Sequence, residues 1–156
     1  IFAAVRPSPS DPFSPGSLVY VDGSSQNVIF PQISADGQNL YWLDFFDFKI
    51  HSARRGSTPV QFVQARTAST FQLYRFVLSS DELTLFYADQ SNTDVIQSTR
   101  ASKDIPFGPG VPLANVNTPE QDAPLFVSPD GCTLYMKSRR PGGSGGEDIW
   151  VTHRAR

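Results

Sequence analysis

The chain repeats itself, and this repetition limits its fold more than any other feature of the sequence. A nine-residue stretch that begins at Ser34 aligns with one that begins at Ser79, 45 residues further on, and with one at Ser128, a further 49 residues on. Each stretch begins Ser-x-Asp and leads into a leucine followed by an aromatic residue. A second anchor ends in arginine and recurs at spacings of 48, 46 and 54 residues, at Arg6, Arg54, Arg100 and Arg154. Two independent anchors keep one period, so the sequence predicts a repeat protein.

Each repeat has the residue pattern of a β-hairpin. In the segment Ser128-Pro129-Asp130-Gly131, proline presets φ, aspartate accepts from the downstream backbone, and glycine takes the left-handed conformation that closes the turn. Glu82 replaces that glycine in the middle repeat, where we expect it to strain the turn slightly. The turns lead into short strands that are apolar at consecutive positions, which indicates burial on both faces. No stretch keeps a helical period, so we expect almost no helix.

The composition is that of one globular domain, and it argues against several kinds of partner. The 156 residues include 39% apolar and 18% charged residues, with 13 Pro and 11 Gly, which is typical of a folded chain rich in turns. A formal net charge of −2 argues against nucleic-acid and anionic-membrane partners, because both need a clustered basic surface. The apolar stretches are far shorter than the roughly 18 residues of a membrane span. Cys132 is the only cysteine, so no disulfide within the chain, metal site or cofactor is predicted.

The repeat unit predicts an all-β fold made of β-propeller blades. A unit of about four short strands buried on both faces is what a blade requires, because each blade lies between two neighbours. The segment from Ser128 through Leu134 and Tyr135, followed by residues 138–151, resembles the WD40-like PD40 repeat of bacterial TolB-type β-propellers. This resemblance implies a scaffold that binds proteins, peptidoglycan-associated partners or ligands in the bacterial envelope. It also implies a periplasmic or secreted location.

The blade count leaves the ring open. Residues 1–156 are predicted to form a single, partial propeller domain whose four-stranded repeats span approximately residues 7–54, 55–100 and 101–154. Three blades do not close a ring, since propellers have about four to eight. The chain also starts at Ile1 without a methionine, which suggests a processed or excised piece. Either further blades of a longer parent chain complete the ring, or two copies form a homodimer that closes a six-bladed ring and leaves residues 1–6 surplus.

The candidate binding residues lie in the loops after the second strand of each repeat. These rim loops run from Asp44 to Asp47, from Asp89 to Asp94 and from Arg139 to Asp148. Exposed aromatic residues in a loop mark binding surfaces, so Phe45 and Phe46 are candidates for contact with a protein or glycan. The complete candidate set is Asp44, Phe45, Phe46, Asp47, Asp94, Arg139, Arg140 and Asp148.

The same loops also allow a structural interpretation. Acidic residues recur at the strand entry, at Asp47, Asp94 and Asp148, where they can accept hydrogen bonds that fix the loop. The glycine run at 142–146 lacks the following Lys-Ser/Thr and helix of a phosphate-binding loop. His51 and His153 are not equivalent in the repeat and make a poor metal pair. No catalytic residue is predicted.

Three functions remain open at this point. The main expectation is a non-enzymatic propeller that binds a protein or ligand through its rim loops. The alternative is a propeller segment of a hydrolase, such as a peptidase or glycosidase, in which the blades shape or gate an active site. That alternative needs acidic residues converging on the central channel, which the sequence does not display. The third is a structural repeat fragment without a ligand.

Overall fold

The computed structural model describes residues 1–22, 27–91 and 93–154 and contains no helix within them. Fourteen strands make up the described part of the chain. They are β1 (Phe2–Ala3), β2 (Ser17–Leu18), β3 (Tyr20–Val21), β4 (Val28–Ile33), β5 (Asn39–Asp44), β6 (Ile50–Arg55), β7 (Gln61–Thr67), β8 (Arg75–Leu78), β9 (Thr84–Ala88), β10 (Val95–Thr99), β11 (Val111–Pro112), β12 (Asp122–Val127), β13 (Thr133–Ser138) and β14 (Asp148–His153). The expectation of almost no helix is confirmed over these residues.

The strands form successive antiparallel sheets that are blades of a β-propeller. Blade 1 consists of β4 to β7, blade 2 of β8 to β11 and blade 3 of β12 to β14, each paired in chain order. Strand β3 adds to blade 1 by parallel pairing with β7, and β1 and β2 form a separate two-stranded sheet. The first strands of neighbouring blades contact each other, as β4 does with β8 and β8 with β12. These first strands therefore face the centre of the arc, and the predicted all-β propeller architecture is confirmed.

The Ser-x-Asp anchors form one turn three times. In the first turn the Ser34 hydroxyl donates to Asp36 Oδ1 at 2.6 Å, and the backbone N–H of Gln38 donates to the same oxygen at 2.9 Å. The equivalent serine and backbone donors bind Asp81 and Asp130 in the other two turns. The serine hydroxyl and then the backbone N–H lower the pKa of each of these three aspartates. The repeat seen in the sequence is thus a repeat of side-chain contacts.

Glu82 keeps the left-handed backbone of its glycine counterparts, with φ of +63° against +71° at Gly37 and +69° at Gly131. Its side chain is buried and accepts hydrogen bonds from Tyr41 Oη at 2.7 Å and Asn39 Nδ2 at 3.1 Å, both in blade 1. It also pairs with the ammonium group of Lys103. The strained position therefore carries a polar contact between blades 1 and 2.

Arg100 joins this polar contact through its Nη2, which donates to Tyr41 Oη at 2.9 Å. Burial and then the hydrogen bond to Glu82 raise the pKa of Tyr41 to about 12. The phenol consequently stays protonated throughout the physiological pH range, and its O–H donates a hydrogen bond to the Glu82 carboxylate.

The apolar core lies between blades, because alternate side chains of each strand point to opposite neighbours. Tyr41 and Ile50 of blade 1 pack against Leu85 and Tyr87 of blade 2. The other face of blade 2 packs against blade 3, in a cluster that contains Val77, Phe86, Val95, Leu134 and Met136. The other face of blade 1 packs against the N-terminal residues, in a cluster that contains Leu40, Trp42, Ala53 and Phe62. Blade 3 leaves its second face open, with Ile149 74% exposed and Val151 50% exposed.

Candidate functional site

The predicted rim loops lie at one end of the blades. Each blade is an antiparallel meander, so the loop between its second and third strands lies at the end opposite the Ser-x-Asp turn. The loops after β5, β9 and β13 therefore lie at the same end of their blades. Residue 92 of the second loop lies outside the described residues. Within that loop Asp94 is half-buried directly before β10.

The loop of blade 1 separates its aromatic and acidic residues. Phe45 and Phe46 are 55% and 71% exposed, which leaves them available on the rim. Phe45 contacts the ring of Phe48 with ring centroids 5.5 Å apart. Asp44 is buried, and its Oδ1 accepts from the backbone N–H of Phe46 at 2.8 Å. Asp44 therefore fixes the loop, whereas the two phenylalanines form its surface.

Asp47 and His51 form a carboxylate–imidazole pair that sequence reasoning missed. Asp47 Oδ2 lies 3.0 Å from His51 Nε2, and Asp47 Oδ1 accepts from the backbone N–H of Lys49 at 2.9 Å. The imidazole stacks on Trp42, with ring centroids 5.9 Å apart and planes 20° apart. Its side chain is 21% exposed. Because a carboxylate can only accept, this contact places a proton on Nε2, which donates to Asp47.

The sequence contained only a weak signal for the Asp47–His51 pair, its spacing of four residues. The spacing of four residues brings Asp47 next to His51 only because the short loop returns the chain into β6, where His51 pairs with Trp42. In the sequence, His51 was compared only with His153 as a metal ligand, and Asp47 only with the equivalent acids Asp94 and Asp148. Asp47 accepts from the backbone of its own loop, and it also contacts the imidazole of His51.

The basic residues of the third loop are held by different partners. Arg140 Nη2 donates to Asp122 Oδ1 at 2.8 Å, and Arg140 Nε donates to the Ser138 hydroxyl at 2.8 Å. Arg139 instead pairs on the surface with Glu147 at 3.4 Å. Asp148 Oδ2 accepts from the backbone N–H of Gly145 at 3.2 Å. The loop is therefore fixed by local bonds, and Arg140 is part of the blade interior.

Asp122 is the fully buried partner in this arrangement. It accepts from the backbone N–H of Thr118 at 2.7 Å and from the Thr118 hydroxyl at 2.8 Å. Desolvation acts to raise its pKa, but the hydrogen bonds from Ser138, Arg140 and Thr118 outweigh that effect and leave the pKa lowered. Sequence reasoning missed Asp122 because it lies in an inner strand outside the rim loops.

The centre of the arc holds a second arginine in a different setting. Phe30, Arg75 and Pro124 each lie four residues before the anchor serine of their repeat and line one cavity of about 160 Å³ between the first strands. The guanidinium carbon of Arg75 lies 4.8 Å from the ring centroid of Phe30. Arg75 Nε is buried without a hydrogen-bond partner among residues 1–22, 27–91 and 93–154. No acidic residue lines this cavity within the described chain, so the convergence of acids that the hydrolase alternative required is not found there.

The described residues hold no cluster of three or more His, Cys, Asp or Glu side chains that could bind a metal ion. Over the same part of the chain, no helix has the length and apolarity needed to cross a membrane.

Comparison with known proteins gives a fold relationship. No protein-family profile matches the chain, and no curated protein matches it. Two similar solved structures are each described as "a putative 6-phosphogluconolactonase", one from Bacteroides uniformis with 17% identity and a TM-score of 0.48, the other from Bacteroides fragilis with 18% identity and a TM-score of 0.49. Each alignment covers 81% of this chain but only 36% and 37% of the solved chains. The chain thus spans little more than a third of their length.

These findings correct two expectations from the sequence. The assignment to the WD40-like PD40 or TolB-type family is wrong, because no family profile matches and the similar structures carry the name of a lactonase. The expectation of a non-enzymatic scaffold is corrected by the same structures, which are named as enzymes. The periplasmic or secreted location depended on the overturned resemblance and stays an untested prediction.

Proposed function

We propose that this chain is a propeller segment of a hydrolase that cleaves an acyl bond, with His51 as its general base. The observation that carries the proposal is the Asp47–His51 pair on the loop rim, with its 3.0 Å contact. A carboxylate that orients a histidine is the arrangement by which proteins position a base for a water molecule. Loops positioned by a rigid scaffold are also where binding and catalytic residues are concentrated.

The reaction follows from the orientation of the imidazole. Asp47 holds Nε2–H, so Nδ1 takes a proton from water while the water oxygen attacks the carbonyl carbon of an ester or lactone. The tetrahedral intermediate then collapses, the bond from carbon to the leaving oxygen breaks, and the imidazolium returns its proton to that oxygen. Asp47 stabilises the imidazolium between these two steps.

Acyl hydrolysis fits these residues better than glycoside hydrolysis. Glycosidases need two carboxyl groups on either side of the scissile bond, about 5 to 9.5 Å apart. Asp47 is already bound to His51 and to the backbone of Lys49, and no second carboxylate contacts either side chain within the described residues. Among hydrolases, an esterase or lactonase reaction is therefore the favoured class.

Replacing His51 with glutamine is expected to lower kcat for ester or lactone hydrolysis by about 100-fold or more, the contribution of a general base. Asp47→Asn is expected to cause a smaller loss, because it frees the imidazole to rotate without removing it. The measurement uses the natural protein that contains this chain, assayed on a p-nitrophenyl ester and on gluconolactone with and without a 6-phosphate. The similar structures suggest these lactone probes.

His153→Gln is the matched control for this experiment. His153 bonds the Thr133 hydroxyl at 3.1 Å at the other end of blade 3, so its replacement is expected to leave kcat unchanged. Equal activity of His51→Gln and wild type would overturn the proposal, as would the absence of hydrolysis on every probe.

A further inference from the structure

We propose that Arg75 binds an anionic group, a carboxylate or a phosphate, in the cavity between the first strands of the three blades. Calling this group part of the hydrolase substrate rests on the proposed function, whereas the binding itself does not. The inference follows from three features of Arg75: its place in the cavity, its stacking on Phe30 and its unsatisfied donor.

Other stacked arginines in this chain show what Arg75 lacks. Arg100 stacks on Phe107 at 4.3 Å, and its Nε donates to the backbone oxygen of Glu82 at 2.9 Å. Arg140 stacks on Trp150 at 5.2 Å, and its donors bind Asp122 and Ser138. Arg75 has the same kind of ring contact, but the described residues supply neither an ion-pair partner nor an acceptor for its buried Nε.

An unsatisfied buried donor is costly, at about 1 to 3 kcal/mol and more when the group is charged. Such exceptions are rare in folded proteins and call for a partner. The guanidinium lies against the ring of Phe30, and Arg75 lines the cavity. An anion bound in the cavity would supply an acceptor for this guanidinium.

The walls of the cavity favour an anion over other ligands. Its other lining residues are uncharged. No carboxylate of the lining competes for the guanidinium. Gln32 lines the same cavity; its Oε1 accepts from the backbone N–H of Leu78 at 3.1 Å, which leaves its amide N–H groups as further donors.

The geometry of the donors selects planar or tetrahedral oxyanions. A guanidinium binds a carboxylate or phosphate through two parallel N–H···O bonds, which chloride cannot form. A volume of about 160 Å³ is below the roughly 300 to 1,000 Å³ of sites for whole drug-sized ligands. The cavity therefore takes the anionic end of a small molecule and leaves the remainder outside it.

The segment before Arg75 connects this cavity to the rim. Gln72 Nε2 donates to the backbone oxygen of Asp47 at 2.9 Å, and the backbone N–H of Leu73 donates to the backbone oxygen of Phe48 at 2.8 Å. The chain then enters β8 at Arg75. The loop that holds the Asp47–His51 pair is thus bonded directly to the segment that places the arginine.

The test is a titration of the natural protein with acetate, inorganic phosphate and 6-phosphogluconate, followed by the NMR signal of the arginine Nε–H groups and by calorimetry. We expect saturable binding by at least one oxyanion and a shift of the Arg75 Nε–H signal. Arg75→Gln is expected to weaken this binding about tenfold or more, the loss of a bidentate charged contact. Arg66→Gln is the control, because Arg66 is exposed and pairs with Asp104 at 3.3 Å.

The outcomes separate this inference from the proposed function. Oxyanion binding that depends on Arg75, in a protein without hydrolytic activity, would support the site and overturn the hydrolase. Hydrolysis that depends on His51, without any saturable oxyanion binding, would support the hydrolase and overturn the oxyanion site. Equal binding by Arg75→Gln and wild type would overturn the site. Phosphate binding without acetate or 6-phosphogluconate binding would identify the ligand as the free ion.

Discussion

Replacing Asp122 with alanine is expected to lower the free energy of unfolding by about 3 kcal/mol, the cost of breaking a buried ion pair from one side. Asp122 is fully buried and bonds Arg140 at 2.8 Å, and its other oxygen accepts two hydrogen bonds from Thr118. Alanine leaves the guanidinium of Arg140 partly buried without its carboxylate and leaves the Thr118 donors unpaired. Urea unfolding of both proteins at pH 7 measures the difference.

The same substitution should change how stability depends on pH. The pKa of Asp122 is lowered in the folded state, so its contribution is fully present above the ordinary aspartate pKa of about 3.9 and is lost as the pH falls through the lowered folded value. The difference between wild type and Asp122→Ala should therefore be large at pH 7 and should shrink as the pH falls below about 4. A difference that stays constant over this range would contradict the assigned role of the ion pair.

Asp148→Ala is the control for this prediction. Its carboxylate accepts one long, exposed hydrogen bond from Gly145, at 3.2 Å. Substitutions of this kind usually change stability by about 0.5 kcal/mol or less. A loss at Asp148 equal to that at Asp122 would show that the loop as a whole, and not the buried pair, stabilises blade 3.

The fold could be predicted because its signal is local and periodic. The Ser-x-Asp turn is built from contacts within six residues, from Ser34 to Asn39 in the first copy, and the same residue types recur at the period of a blade. Burial of the strands on both faces after each turn is also visible in the sequence, because these strands are apolar at consecutive positions. The same turn suggested the wrong family, because a hairpin between blade strands needs this chemistry whatever the protein's ancestry.

The site could not be predicted because its contacts break the repeat. Arg75 takes a position that Phe30 and Pro124 occupy in the other blades, and one charged residue in a short strand is as easily exposed as buried. Arg140 and Asp148 belong to the same rim loop in the sequence. The register instead sets Asp122 opposite Ser138, beside Arg140. From the sequence, Glu82 was expected only to strain its turn. Its hydrogen-bond partners in blade 1 become neighbours only when the blades stack.

The second large effect on stability is expected where one blade packs against the next. One strand position, compared across the three blades, shows how the open face of blade 3 differs. Ile50, Val95 and Ile149 are equivalent in strand pairing, because they lie opposite Leu43, Ala88 and Lys137. Ile50 and Val95 are 0% exposed beneath the following blade, whereas Ile149 is 74% exposed. The open face of blade 3 therefore lacks the packing that a following blade supplies to blades 1 and 2.

Val95→Asp is expected to destabilise the 156-residue chain by more than about 4 kcal/mol, since it places an unpaired charge in the apolar contact between blades. Ile149→Asp in the same chain is expected to change stability by about 0.5 kcal/mol or less, because that side chain already faces water. Urea unfolding of the two variants, with the solution mass from light scattering, makes the comparison.

The comparison also decides between the ways in which the open face could be covered. We propose that a further blade of a longer parent chain covers it, or a second copy that closes a six-bladed ring. In the second case wild type has twice the 17.2 kDa chain mass and Ile149→Asp returns it to the single mass. In the first case the 156-residue chain keeps the single mass, and Ile149→Asp becomes as costly as Val95→Asp only in the parent protein. A harmless Ile149→Asp in both settings would show that the face stays open, and the blades would then form an arc rather than part of a ring.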